Sequence, residues 1–313
     1  MTDPDPLRGP WQRWTDTMTV GGYRTGALMA RALPGFVAEG LATPFGLGAN
    51  VANAERRAMI RRHLQRVRPD WPSWRLRQAV QGAFDSYARY WIEALRLPTL
   101  SHRAVERGFH TDGYREHVVE GLKAGNGVIM ALPHLGGWEW AGRWLAIRGH
   151  RLTVVVERLE PPELFDWFTG LREDLGMTVV PLGPDAGKAV LGALKRNEIV
   201  CLLCDRDLQG GGIEVDFFGE RTTLPAGPAT LSLRSGAPLL PVAVYFTDRV
   251  HGHYGLVRPP VPTERRAKLR DDVARVTQLL AHELEFLIHR APEQWHMFQP
   301  NWPSDPGYGT TIS

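Results

Sequence analysis

The sequence predicts an α/β fold, in which a central, mostly parallel sheet is flanked by helices and preceded by a helical N-terminal extension. Short and almost wholly apolar segments recur from about residue 120 onward, as expected for strands buried on both faces. Helical patterns alternate with these segments. No linker of distinct composition divides the chain, so we predict one domain over 1–313, with a helical part (1–110) and an α/β core (111–313).

The predicted elements follow one another in regular order along the chain. A core helix at about 80–95 is followed by strands that alternate with helices at about 139–148, 162–174, 185–197 and 225–235, and a long helix at about 263–290 follows. The predicted strands are Gly127–Leu132, Thr153–Val156, Thr178–Pro181, Ile199–Cys204 and Pro238–Tyr245.

The N-terminal extension mixes large apolar side chains with glycine. Arg24, Arg31 and Glu39 interrupt it, so it does not span a bilayer. Two interpretations are open: a pair of helices packed on the core, or an amphipathic segment that lies in a membrane interface. The apolar members are Trp11, Trp14, Met18, Tyr23, Leu28, Met29, Leu33, Phe36, Val37, Leu41 and Phe45.

Arginine dominates the basic residues, because only four of the 37 lysines and arginines are lysines. On a helix, the arginines of 55–77 would form a basic stripe, which suits a solvated face or an anionic membrane surface. No nucleic-acid-binding motif accompanies them, so we expect no nucleic-acid partner. The stripe comprises Arg56, Arg57, Arg61, Arg62, Arg66, Arg68, Arg75 and Arg77.

Composition excludes several classes of protein. Apolar residues make up 43% and charged residues 23%, with a net charge of +3, as in ordinary globular proteins. Two cysteines, Cys201 and Cys204, exclude a disulfide scaffold, and their place in an apolar strand favours burial over metal binding. The chain shows no secretory signal, so a cytoplasmic location is expected.

The strongest candidate site follows the strand Gly127–Leu132, where ligands commonly bind in α/β sheets. His134 lies at this strand end, and a turn at Gly136 and Gly137 would bring Glu139 under its imidazole. The histidine would act as a general base, and the carboxylate would fix its tautomer. Backbone N–H groups of the glycine turn would stabilise an oxyanion.

Charged residues also follow two other predicted strands. Glu157 and Arg158 follow Thr153–Val156, and Asp205 and Arg206 follow Ile199–Cys204. Gly211 lies in a glycine loop that could approach a phosphate or a sugar. No phosphate-binding P-loop spacing occurs, and no metal site is expected.

The H-x4-E pattern of His134 and Glu139, with the strings CDRDL (204–208) and VDFFG (215–219), resembles the glycerolipid and lysophospholipid acyltransferases. The resemblance covers nearly the whole chain. It is strongest to the lipid A acyltransferase branch and, within it, to the mycobacterial phosphatidylinositol mannoside acyltransferases. Segments such as SYARYWIEALRLPT (86–99), VVERLEPPELFDWF (155–168) and QWHMFQPNW (294–302) carry it.

The resemblance implies roles for the candidate residues. His134, oriented by Glu139, would deprotonate an acceptor hydroxyl that attacks an acyl-CoA thioester without an acyl-enzyme. Arg172 matches an arginine of the donor site or the dyad region, and Asp205 stands where relatives often carry glutamate. Substrate-binding roles fall to Arg172, Asp205, Arg206, Glu157, Arg158 and Gly211.

The resemblance also implies substrates and a location. Acyl-CoA is the donor, no other cofactor is needed, and the acceptor is a phosphatidylinositol mannoside or related glycolipid at the cytoplasmic face of the plasma membrane. Two alternatives stay open: an acyltransferase for a lysophospholipid or a lipid A-like acceptor, and a basic membrane-binding protein without turnover.

Overall fold

The structure is a computed structural model that describes residues 21–22, 25–158, 160–208 and 210–309. The predicted members Trp11, Trp14, Met18, Tyr23 and Arg24 of the N-terminal extension lie outside the described residues. Within the described residues, the alternation of strands and helices is confirmed, and the five predicted strands are found with ends shifted by at most one residue.

The helices flank the sheet and build the N-terminal part. Residues 25–32 are helical, a π-helical segment covers Tyr114–Val119, and short 3₁₀ turns cover Leu97–Thr99 and Pro292–Gln294. The α-helices are α1 (Gly35–Gly40), α2 (Ala42–Ala52), α3 (Ala54–Val67), α4 (Ser73–Arg96), α5 (His102–Arg107), α6 (Glu120–Lys123), α7 (Trp138–Ile147), α8 (Pro162–Asp174), α9 (Ala186–Lys195), α10 (Gly227–Ser235) and α11 (Leu269–Arg290).

The central sheet has seven strands in the order β1-β9-β8-β2-β5-β3-β4. Every neighbouring pair is parallel except β8 with β9, so the predicted mostly parallel sheet is confirmed. The strands are β1 (Phe109–Asp112), β2 (Val128–Leu132), β3 (Leu152–Val156), β4 (Met177–Pro181), β5 (Ile199–Leu203), β8 (Leu239–Phe246) and β9 (His253–Val257), with a separate hairpin of β6 (Ile213–Phe217) and β7 (Glu220–Leu224).

Four strands were not predicted, and their burial patterns explain why. In β6, exposed acidic residues alternate with apolar ones, β7 has a single apolar residue, and β1 and β9 are short strands with polar members. Continuous apolar runs mark strands that are covered on both faces. A strand with one solvated face does not give that signal.

Apolar side chains cover the two faces of the sheet in alternation. From β2, Ile129 and Ala131 join the cluster that packs under α9, α10 and α11. Val128, Met130 and Leu132 join the opposite cluster under α7, with Trp140 and Trp144. Burial on both faces fixes the position of the strand, and therefore the place where its carboxyl end meets the solvent.

The predicted arginine stripe is divided between structural and free side chains. Arg66 pairs with Glu220 and with Asp305, whose carboxylate also contacts Arg62. These two arginines therefore tie α3 to the C-terminal segment. Arg56 and Arg61, by contrast, are exposed and form no ion pair with any residue that the structure describes.

Candidate functional site

The register of two neighbouring strands brings His134 and Asp205 together. In the parallel pair of β2 and β5, Leu132 lies opposite Leu203. His134 lies two residues after Leu132, and Asp205 lies two residues after Leu203. The two side chains are therefore neighbours at the same edge of the sheet. This is the edge of the carboxyl ends, where α/β proteins bind ligands.

His134 and Asp205 form a close hydrogen-bonded pair. The Nδ1 of His134 lies 2.6 Å from Oδ1 of Asp205, and the His134 backbone N–H donates to Oδ2 over 2.9 Å. The Asp205 side chain is fully buried, whereas that of His134 is about a quarter exposed. Since the carboxylate only accepts hydrogen bonds, Nδ1–H is the donor of this pair, and Nε2 has no hydrogen-bond partner among the residues that the structure describes.

The surroundings of Asp205 favour its charged form. Burial opposes the charge, but attraction to His134 and hydrogen bonds from His134 and Trp295 outweigh it and hold the pKa of this carboxyl below its usual value. The Trp295 indole N–H donates to Oδ2 over 2.7 Å, and the Asn301 amide donates to the Asp205 carbonyl over 3.1 Å. The His134 ring, the His134 backbone N–H and the Trp295 indole thus hold the carboxylate, and Asn301 holds the backbone beside it.

The expected contact between Glu139 and the imidazole is wrong. Glu139 is the second residue of α7 and turns away from His134: its Oε1 accepts from Nη2 of Arg172 over 2.7 Å and from the Tyr90 hydroxyl over 3.2 Å. The carboxylate that holds the imidazole comes from β5 instead. Sequence spacing suggested a local partner, and the strand register supplies a distant one.

The expected oxyanion donors are also engaged elsewhere. The Gly136 N–H donates to the carbonyl of Gln294, and the Gly137 N–H donates to the carbonyl of Val244. Gly136 has φ +61, and a Cβ at this position would collide with the Val244 carbonyl, so the glycine permits a close turn rather than a donor pair. The turn therefore anchors the segment after His134 against the sheet.

Glu139, Arg172 and Tyr90 form a buried cluster that connects α7, α8 and α4. Burial disfavours the Arg172 charge, but Glu139 outweighs this and raises the pKa of the guanidinium. Burial, with the Glu139 charge, raises the pKa of Tyr90 well above its usual value. Because Glu139 already binds Arg172, this arginine is not a free cation at the rim of the site.

A wide groove opens beside His134, with a volume of about 1150 Å³. Aromatic side chains near the histidine include Trp138, whose ring centroid lies 5.9 Å from that of His134. Apolar side chains continue the lining away from the histidine: Val155, Val156, Leu182, Val190, Leu191, Leu202, Leu203, Leu208, Leu231 and Met297. A pocket of this size and composition fits a long apolar ligand.

The other predicted site residues have different surroundings. Arg206 lines the groove and pairs with Glu157 over 3.2 Å, while Arg158 is exposed. Gly211 is exposed at the loop that Asp207 holds, since this carboxylate accepts from the backbone of Gly210 and Gly212. The structure therefore gathers His134, Asp205, Arg206 and Glu157 at one edge and leaves Arg158 outside the lining.

Three side chains near His134 belong to no catalytic motif that the sequence revealed: Tyr90, Trp295 and His296. His296 lies in the groove, bonds Ser86 through Nε2 over 2.9 Å, and is neutral, because burial and repulsion from His134 lower its pKa to about 3. Tyr90 and Trp295 bind the two carboxylates. In the sequence, only the mixture of polar and aromatic residues in 294–302 pointed to this region, and that mixture does not reveal which residues these side chains contact.

Among the described residues, Glu39, Glu93 and His251 are a group whose candidate metal-ligand atoms lie within 4.8 Å of one another. Glu93 already contacts Arg89 over 2.8 Å and His253 over 2.7 Å, so cationic and hydrogen-bonding partners surround it. The group connects α1 to the β8–β9 loop. It does not line the groove beside His134.

A family profile matches most of the sequence. The bacterial lipid A biosynthesis acyltransferase profile matches residues 12–304, and the chain belongs to this family. It is therefore an acyltransferase for lipid or glycolipid substrates.

Two individual relatives are similar to this chain over most of its length. The chain is 38% identical over 303 residues to the phosphatidylinositol mannoside acyltransferase of Mycobacterium tuberculosis H37Rv, covering 95% of this chain and 93% of the relative. It is 38% identical over 288 residues to the protein of the same name from Mycolicibacterium smegmatis, covering 91% of each chain.

Proposed function

We propose that the protein transfers a fatty acyl chain, such as palmitoyl, from acyl-CoA to a mannose hydroxyl of a phosphatidylinositol mannoside. The observation that supports this most is the His134–Asp205 pair, with the free imidazole nitrogen at a long, largely apolar groove. The relatives' names supply the acceptor class. The groove suits an acyl chain, because its lining removes apolar surface from water.

The pair can carry a direct acyl transfer. Nε2 of His134 takes the proton of the acceptor hydroxyl as its oxygen attacks the thioester carbonyl carbon. Asp205 keeps Nδ1 protonated and stabilises the imidazolium that forms. The tetrahedral intermediate then expels the thiolate, which takes the proton from the imidazolium, so an ester and free CoA leave and His134 is neutral again.

Glu139 has an indirect part in this proposal. Its ion pair with Arg172 and its hydrogen bond from Tyr90 join three helices around the start of α7. Trp138, the neighbour of Glu139, packs between His134, Tyr90 and His296. We therefore assign Glu139 and Arg172 as positioning residues for the wall that faces the imidazole.

The test of function is product formation. Purified protein receives radiolabelled palmitoyl-CoA with phosphatidylinositol mannosides, a lysophospholipid or a lipid A-like disaccharide, and labelled products are separated. Acylation of the mannosides alone supports the proposal. If the lysophospholipid or the lipid A-like disaccharide is labelled in preference to the mannosides, that lipid is the acceptor. If folded protein labels no lipid in any mixture, acyl transfer is rejected in favour of a membrane-binding protein without turnover.

We further propose that the protein works as a peripheral protein at the inner face of the plasma membrane. No described helix is long and apolar enough to cross a bilayer. Six apolar side chains from residue 28 to 51 are more than half exposed, and the free arginines of α3 follow them in the chain. Such a surface suits a membrane interface. The six are Leu28, Met29, Phe36, Phe45, Leu47 and Val51.

Liposome sedimentation tests this location. Binding should rise with anionic lipid and fall in high salt, because screening weakens the attraction of exposed charges. Arg56→Gln/Arg61→Gln should bind anionic vesicles less, whereas Arg103→Gln/Arg270→Gln, which removes two exposed arginines elsewhere, should bind as wild type. Equal binding of all proteins to neutral and anionic vesicles would reject the electrostatic part, and no binding would reject the membrane role.

A further inference from the structure

One wall of the groove carries three exposed cations. Lys188 and Lys195 lie on α9, Arg234 lies on α10, and all three line the groove that contains His134. Among the residues that the structure describes, none of the three side chains forms an ion pair or a hydrogen bond. The chain has only four lysines, and two of them lie on this wall.

The spacing of the two lysines places both on one face of α9. Lys188 and Lys195 are seven residues apart, about two helical turns, so they share a face of α9 with Leu191, which also lines the groove. The other groove cations already have acidic partners: Arg172 binds Glu139 and Arg206 binds Glu157. The free positive charge of the lining is therefore concentrated on α9 and α10.

The same wall leaves room for a ligand. Gly187, the second residue of α9, lines the groove, and a Cβ built there would meet no atom within 4 Å. Packing within the protein therefore does not require glycine at this position. Gly227, at the start of α10, lines the groove in the same open way.

We propose that Lys188, Lys195 and Arg234 bind the phosphates of the coenzyme A part of the donor, while its thioester lies at His134. This inference rests on the proposed acyl-CoA-dependent function. A cluster of three cations suits a ligand with several phosphate groups, since each cation can form a charge-assisted hydrogen bond to phosphate oxygen. The phosphodiester of a phosphatidylinositol lipid carries a single charge, so we assign the wall to the donor.

Kinetics with two donors tests the assignment. In Lys188→Gln/Lys195→Gln/Arg234→Gln, KM for palmitoyl-CoA should rise at least about tenfold, the change expected from losing one charged contact. With palmitoyl N-acetylcysteamine, a thioester without phosphates, the variant and wild type should have equal kcat/KM. Lys268→Gln, a change of an exposed lysine outside the groove lining, should behave as wild type with both donors.

Direct binding separates this inference from the proposed function. Adenosine 3′,5′-bisphosphate, titrated calorimetrically into wild type and the triple variant, needs no turnover. Binding by wild type that the variant loses, and that weakens in high salt, supports the phosphate site even if no acyl transfer is found. Equal binding by both proteins, no binding by either, or a rise in KM for the lipid acceptor alone overturns the assignment to the donor.

Discussion

Two histidine–aspartate pairs with buried carboxylates differ in one respect that decides their use. Nδ1 of His134 lies 2.6 Å from Asp205, and Nε2 of His63 lies 3.1 Å from Asp305. Both aspartate side chains are fully buried. In each case partners outweigh the effect of burial and hold the pKa of the aspartate below its usual value. The two pairs therefore consist of the same residue types, and each favours a charged aspartate.

The difference lies in the second nitrogen of each ring. Nδ1 of His63 lies 3.0 Å from the Met297 carbonyl oxygen, and its side chain is only 2% exposed. Both His63 nitrogens therefore contact groups within the protein. His134 keeps one nitrogen free toward the groove and is 26% exposed. A pair with a free nitrogen can move a proton to or from a substrate, and a pair without one can only stabilise the fold.

The largest expected effect separates the two histidines by activity. His134→Ala should lower kcat for acyl transfer by about 10²–10⁴-fold, because the general base is lost. Its free energy of unfolding should fall less than that of His63→Ala, because the partly exposed site lets water reach the Asp205 carboxylate once the imidazole is gone. More than about a tenth of wild-type turnover in His134→Ala would remove the general-base role.

His63→Ala and Asp305→Asn should show the opposite pattern. Each breaks a buried pair and leaves one partner without its ion contact, so the free energy of unfolding should fall by about 3 kcal/mol. kcat, corrected for the folded fraction, should change little, because neither residue lines the groove. Urea unfolding followed by tryptophan fluorescence measures the first quantity. A large loss of kcat in fully folded protein would contradict the contrast between the pairs.

Asp205 is a positioning residue, and its variants sharpen the comparison further. Asp205→Asn should lower kcat by about 10²-fold with an unchanged KM for acyl-CoA, because the imidazolium loses its charge partner. Asp205→Glu, which restores a carboxylate, should recover part of kcat. Loss of activity that the glutamate does not improve, or a change in KM alone, would contradict this role.

Glu139 gives a smaller expected effect than Asp205. Glu139→Gln and Arg172→Ala should each lower kcat by about tenfold, and the double variant should lose no more than either single one, since the two side chains act through one contact. A double-variant cycle in kcat measures this. If the fold-losses in kcat of the two single variants multiply in the double variant, the two residues act separately. A loss of kcat in Glu139→Gln larger than that in Asp205→Asn would show that Glu139 orients the imidazole directly.

The smallest expected effect is on acid stability. A carboxyl with a folded pKa below its unfolded value of about 3.9 contributes stability at higher pH and loses it as pH falls through the folded pKa. Between about pH 5 and 2, wild type should therefore lose stability, and Asp305→Asn should show a shallower slope by at most about 1.4 kcal/mol per pH unit. Parallel slopes in the two proteins would remove Asp305 from the acid response.

The C-terminal region shows why local patterns missed some of the site. Trp295 donates to Asp205, and His296 lies in the groove 162 residues after His134 in the chain. A tryptophan or a histidine in a segment rich in aromatic residues gives the same sequence signal whether it packs in the core or binds a carboxylate. The contact depends on how the segment after α11 returns to the sheet edge.

The sequence by itself determined the alternation of buried strands and helices. A short strand that is apolar throughout is shielded from water on both sides only in a sheet whose two faces are covered. The sequence also placed His134 and Asp205 at strand ends, since each lies within two residues of the end of such an apolar run. Only the tertiary structure decided that β5 lies beside β2, with Leu132 opposite Leu203. Strand order and register depend on packing between residues 71 positions apart, so local spacing favoured Glu139 where the sheet supplies Asp205.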